Sequence, residues 1–144
     1  MKKFHFPLDR ALDWRRTQAR IEESKLERLF TALRTIDAQD AALHDERARS
    51  EAALLSASDV TGQDLAALDA FHTHVRAEHS RLTQARQQCG KQIAAQIEAV
   101  TSKRRDVKLI ENLKQRRFDG WTAELGREID RQADEAFLAK WNRG

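Results

Sequence analysis

From Leu8 onward, alternating steps of four and three pick out two heptad rows along the chain. One runs Leu8, Arg15, Glu22, Leu29, Ile36, Leu43 and Ser50, the other Leu12, Ala19, Leu26, Leu33, Asp40, Arg47 and Leu54. Nine of these fourteen positions are apolar. The stretch from Leu26 to Leu43 is nearly unbroken and polar residues interrupt it on both sides, which describes a narrow coiled-coil seam rather than the wide stripe of a globular-core helix. A second segment continues the theme through Leu68, Phe71, Val75, Leu82, Cys89, Ile93, Ile97, Val100, Val107, Ile110 and Leu113. Steps of 4, 4 and 3 from Cys89 to Val100 make an eleven-residue repeat, at which a left-handed supercoil should locally unwind.

The two periodic segments are separated by Ser56-Ala57-Ser58-Asp59-Val60-Thr61-Gly62, the one clear interior cluster of small, polar and breaker residues. Thr61 followed by Asp64 resembles a capping box, so the second helix should start there. Pro7 suits the opening turn of the first. The pattern therefore predicts an all-α fold, a single antiparallel two-helix coiled-coil hairpin over 1–144, with helix 1 at about 7–56, a tip at about 57–62 and helix 2 at about 63–140. Leu26, Leu29, Leu33, Ile36 and Leu43 should form one side of its seam, and Val75, Leu82, Cys89 and Ile93 the other. At about 1.5 Å per residue the shorter arm would be about 75 Å long, a rod. Folding the chain near residue 60 sets Leu8 near position 112 and turns Leu26, Leu33 and Ile36 toward residues 84–94. Everything beyond about Phe118 should then overhang the first helix, carrying Trp121, Leu125, Ile129, Phe137, Leu138 and Trp141. Apolar side chains on an unpaired helix make an interaction surface; the alternative is an end that folds back or frays.

Composition supports long helices. Of 144 residues 34% are charged and 40% hydrophobic, against roughly 25% and 45–50% in an ordinary soluble domain, so a thick core is excluded. One Pro and five Gly, where average usage would supply roughly 17, exclude a turn-rich β-sandwich or barrel. No stretch approaches the roughly 20 apolar residues that span a bilayer. Lys2 and Lys3 imitate the start of a secretory leader, but Asp9 and Arg10 follow too soon for an apolar core. A cytoplasmic protein is expected, and Cys89, the single cysteine, fits a reducing compartment.

Charge is segregated. Residues 1–36 carry net +4, residues 37–100 net −4, residues 101–118 net +5 and residues 119–144 net −2. The folded hairpin would thus have an acidic tip and, at its open end, a basic collar. The collar includes Arg15, Arg16, Arg20, Lys103, Arg104, Arg105, Lys108, Lys114, Arg116 and Arg117.

No enzyme chemistry is apparent. His72, His74 and His79 do not share one face at ligand spacing, and no His-x-x-x-His pair exists, so no metal site is expected. Gly90-Lys91 lacks the rest of a phosphate loop. Cys89 reads as a small seam hydrophobe, and the carboxylates have no dry pocket in which to separate their pKa values. Catalytic residues, cofactors and a small-molecule substrate are therefore not expected. A pI near 9.3 keeps a nucleic-acid-binding coiled coil as an alternative, although interspersed acidic residues and the lack of a recognised motif argue against it.

Both ends of the chain carry a resemblance. Phe4-x-Phe6-x-Leu8-x-x-x-Leu12-x-x-Arg15, with Glu23 and Leu26, looks like the amino-terminal pattern of the FliJ family of flagellar type III export proteins. Glu111-x-Leu113-Lys114-x-Arg116-Arg117, then Trp121, Glu124, Glu128 and Asp134-Glu135-Ala136, is similar to its carboxy-terminal signature. Arg127 and Ile129 beside Glu128, and Gly120 and Gly126, depart from the family pattern.

The resemblance implies a non-enzymatic component of flagellar protein export, similar to the central stalk of rotary ATP synthases. It would be cytoplasmic and peripheral to the membrane-embedded apparatus, without membrane insertion. Implied partners are the flagellar export ATPase, which such a protein binds and stimulates, the cytoplasmic domain of the export gate, and export chaperones. The expected ATPase-binding residues are Arg15, Arg16, Glu111, Leu113, Lys114, Arg116, Arg117, Trp121, Leu125 and Glu128. The equivalent stalk of a virulence type III injectisome remains an alternative.

Overall fold

A computed structural model describes residues 3–144; Lys2 of the leader-like start lies outside them. The fold is an all-α antiparallel hairpin of two helices, α1 (Asp9–Ser56) and α2 (Gly62–Arg143), and the described residues contain no strand. The expected bounds of about 7–56 and 63–140 differ by a turn or less. Pro7 lies in the turn before α1, where the Phe6 carbonyl accepts the Asp9 N–H at 3.2 Å. At the tip the capping box closes in both directions, Thr61 N–H donating to Asp64 Oδ2 and Asp64 N–H to Thr61 Oγ1, each at 3.1 Å. Aspartate thus serves where glutamate is usual.

The chain divides into two compact units, one of Glu22–Val100 and one of Met1–Ile21 with Thr101–Gly144. In the tip-side unit α2 supplies the buried side chains Val75, Leu82, Cys89, Ile93 and Val100. Facing them, Leu26, Leu29, Leu33, Ile36 and Leu43 are half-buried, as are the polar members of the same heptad rows, Glu22, Asp40, Arg47 and Ser50. A two-helix hairpin covers each seam residue from one side only, and the long stems of polar residues complete the cover.

Antiparallel pairing within this unit is fixed by cross-arm bonds. Gln96 Nε2 donates to the Glu22 carbonyl at 2.9 Å and Cys89 Sγ to the Leu29 carbonyl at 3.5 Å. Arg86 Nε donates to Asp37 Oδ1 at 2.8 Å, an attachment that raises the pKa of the guanidinium further above its ordinary value. His72 Nε2 lies 2.9 Å from Glu51 Oε1, off the direction of a hydrogen bond, so this is an ionic contact when the ring is protonated. Residues 22–37 therefore face residues 86–96, the expected register.

One position differs. Gln96, half-buried and bonded to Glu22, takes the inward place assigned to Ile97, which is 45% exposed. The inward steps from Leu82 are 3, 4, 4, 3 and 4 through Ala85, Cys89, Ile93, Gln96 and Val100, so the register slip centres on Cys89. Hydrophobicity alone favours isoleucine; the glutamine amide instead finds a carbonyl of α1.

Candidate functional site

The second unit gathers the two terminal segments. Before α1 begins, the chain runs without helix through Phe4, His5 and Phe6. Phe6 is 1% exposed and, with Leu12 at 1%, is one of the two largest fully buried side chains among the described residues. Phe4 packs edge-on against Phe118, ring centres 5.2 Å apart, and lies 6.0 Å from Trp121, while Phe118 and Trp121 stack at 5.8 Å. One aromatic ring from the start of the chain and two from far along α2 thus form one cluster.

Ion pairs flank it. Lys114 Nζ is 2.7 Å from Asp9 Oδ1 and 5.9 Å from the Phe6 ring centre. Arg16 Nη2 is 3.2 Å from Glu111 Oε1, and Arg15 Nη1 is 3.4 Å from Asp106 Oδ2. All of these charged side chains are partly exposed. Each pair is therefore worth little in stability, but the geometry sets which residues meet.

These contacts sort the expected ATPase-binding residues. Arg15, Arg16, Glu111 and Lys114 are engaged within the unit, α1 to α2. Arg116 and Arg117 are exposed and form no ion pair among the described residues, and Leu113 is 36% exposed. Trp121, Leu125 and Glu128 are half-buried. The uncovered overhang expected beyond Phe118 begins later, because Phe4 packs on Trp121 and on one side of Phe118, which stays 42% exposed. Heptad counting from Leu8 does not register this, since Phe4 and Phe6 lie in non-helical chain outside the helical period; two aromatics two apart just before Pro7 are the signal.

Beyond Glu128 every residue is exposed although α2 remains helical to Arg143. Ile129 is 56%, Phe137 65%, Leu138 57% and Trp141 73% exposed. Ile129, Ala133, Phe137 and Trp141 follow at steps of four, each next to the following one in a row that winds slowly around the helix. Phe137 and Trp141 stack at 6.4 Å, giving that row a preformed aromatic pair. Outside the seam, Trp14 is 55% exposed with the Arg15 guanidinium 5.1 Å over its ring. It occupies no heptad position, and a tryptophan on a polar face is its only signal in the sequence.

The unit as a whole is cationic. Met1–Ile21 and Thr101–Gly144 hold seventeen Lys/Arg against ten Asp/Glu, net +7, whereas Glu22–Val100 hold nine against thirteen, net −4. The positive charge lies in residues 1–21 and 101–118, whereas residues 119–144, which carry the exposed aromatic face, are net −2. No helix in the described residues is long and apolar enough to cross a membrane. Neither a protein-family model nor a curated protein nor a solved structure matches this chain.

Proposed function

We propose that this chain is a non-enzymatic stalk protein of flagellar type III export that binds and stimulates the export ATPase and links it to the export gate and export chaperones. One observation carries the proposal: the two segments that bear the FliJ-like signatures pack on each other. Phe4 of the first meets Trp121 of the second at 6.0 Å, Lys114 Nζ of the second lies 5.9 Å from the Phe6 ring of the first, and the neighbouring Asp9 and Arg16 pair with Lys114 and Glu111. Signature residues from both ends that meet in one unit, all but Glu23 and Leu26, together with an exposed aromatic face and a net positive charge, are what a shaft held by a partner ring requires.

In this account the anchors are Phe137 and Trp141, with Ile129 and Leu138 around them, and Arg116 and Arg117 steer association. Trp121 and Leu125 hold the unit together and contribute less directly. Asymmetric contacts of the unit with successive ATPase subunits would couple hydrolysis to the gate, and the protein would work in the cytoplasm at the face of the export apparatus.

A purified flagellar export ATPase tests the proposal. Added protein should promote its ring assembly and raise its turnover to saturation, with no hydrolysis by this chain alone. Stimulation of an injectisome ATPase in preference to the flagellar one would move the assignment to the virulence system. Salt-sensitive binding to DNA or RNA, falling steeply between about 50 and 200 mM salt, with no effect on either ATPase, would replace it with the nucleic-acid reading.

A further inference from the structure

We infer that Asp40, His44 and His79 form a binding site for a divalent transition-metal ion of the zinc type, bridging the two helices of the tip-side unit. One ligand atom from each of the three lies within 4.8 Å of the others. Asp40 and His44 are four apart on α1 and so share a face; His79 reaches them from α2. His79 Nδ1 is 2.7 Å from Asp40 Oδ1, His44 Nδ1 is 3.7 Å from the same oxygen, and the two imidazoles meet edge to face with centres 5.1 Å apart.

Two histidines four apart on one helix would have announced such a site in the sequence. Here the i, i+4 pair is aspartate with histidine, and the second histidine comes from 35 positions further on, across the hairpin. His72 and His74 are not members of the trio.

The donor set selects the ion. Two imidazoles and a carboxylate suit zinc, nickel or copper, whereas magnesium and calcium favour all-oxygen shells. Tetrahedral bonds of about 2.0–2.1 Å place ligand atoms about 3.3 Å apart. Asp40 Oδ1 lies 2.7 Å from His79 Nδ1 and 3.7 Å from His44 Nδ1, on either side of that spacing, and the set spans no more than 4.8 Å; to close on one ion the side chains must rotate, and His44 Nδ1 must leave the Asp40 main-chain carbonyl oxygen 2.8 Å away. His44 and His79 are exposed and Asp40 is half-buried, which gives a hydrated ion access and leaves a fourth position for water. The nearby Arg86 guanidinium is bonded to Asp37 at 2.8 Å and does not occupy the Asp40 carboxylate.

In the tautomer with Nδ1 protonated, His79 donates to Asp40. Ligation through Nδ1 uses the other neutral tautomer, with the ring proton moved to Nε2, so the ion binds a neutral imidazole. Because the trio assembles only when the two helices are paired, a bound ion clamps the hairpin and favours its folded form by mass action. The inference is independent of the export proposal, whose surface lies in the other unit.

The test is a titration of the full chain with Zn²⁺ alone, in buffer free of chelators, by calorimetry and by thermal unfolding followed through helical circular dichroism. One ion per chain should bind and the unfolding temperature should rise with added Zn²⁺. Co²⁺ should give visible absorption of a tetrahedral nitrogen-ligated site. His44→Ala and His79→Ala, both at exposed positions, should keep the helical signal of the parent and bind Zn²⁺ at least about tenfold more weakly, whereas His74→Ala should bind like the parent. Absence of one-to-one binding, parental affinity in the His44 and His79 variants, or equal weakening by His74→Ala would overturn the site.

Discussion

In the tip-side unit the apolar positions of two helices largely cover one another, with Val75, Leu82, Cys89, Ile93 and Val100 buried and their partners on α1 half-buried. In the unit that holds the chain ends, Phe6, Leu12 and Ala19 are buried, yet α2 beyond Glu128 buries nothing while carrying Ile129, Phe137, Leu138 and Trp141. The charge differs in the same sense, net −4 against net +7. One repeating pattern thus has two uses. Where a second helix lies opposite, apolar spacing makes a seam; where none does, similar spacing leaves an exposed apolar face. Stability and binding should accordingly reside in different residues, and substitutions can separate them.

The largest effect on folding is expected at Phe6. Removing its buried ring leaves a void and uncouples the leading segment from α1, so Phe6→Ala should cost about 3 kcal/mol in urea or thermal unfolding followed by circular dichroism. Phe137→Ala and Trp141→Ala provide the contrast. Each should shift stability by less than about 0.5 kcal/mol and weaken ATPase binding by about 2 kcal/mol, measured by calorimetry at two salt concentrations. Equal loss of stability at Trp141 and Phe6 would mean that the C-terminal face is already covered.

Smaller changes sharpen the same division. Gly90, Gly120 and Gly126, all in α2, have open space where a Cβ would stand, so alanine at each should stabilise that helix by about 0.5–1 kcal/mol. Gly90→Ala should do so without touching ATPase stimulation. Thr61→Ala should cost about 1 kcal/mol by opening the capping box. Smallest of all is the coupling of Asp9 with Lys114, both partly exposed, which a double-mutant cycle should place at about 0.2–1 kcal/mol.

Much of this was legible in the sequence, for identifiable reasons. Heptad spacing locates the seam because each inward position must be covered, and thirteen of the fourteen positions marked on the first helix are half-buried or buried, Leu8 at 39% exposure being the other. The tip followed from its breakers and the Thr61–Asp64 pair. Three features escaped. Phe4 lies outside any helical period, so its packing on Phe118 and Trp121 left no periodic trace. Gln96 displaced Ile97 because a hydrogen bond across the arms, invisible to hydrophobicity, decided the inward position. Asp40 and His79 meet only through the register of the hairpin, which brings together residues that no local spacing connects.

The central claim, that exposed aromatics of the terminal unit engage an export ATPase, is tested most directly by ATP turnover of the purified flagellar enzyme against increasing amounts of the chain and of its Phe137→Ala/Trp141→Ala variant. The account predicts saturable stimulation by the parent, and at least about tenfold more variant needed for the same effect while its helical signal is unchanged. No stimulation by the parent at any concentration would contradict the export assignment, and equal stimulation by both would contradict the surface assigned to it.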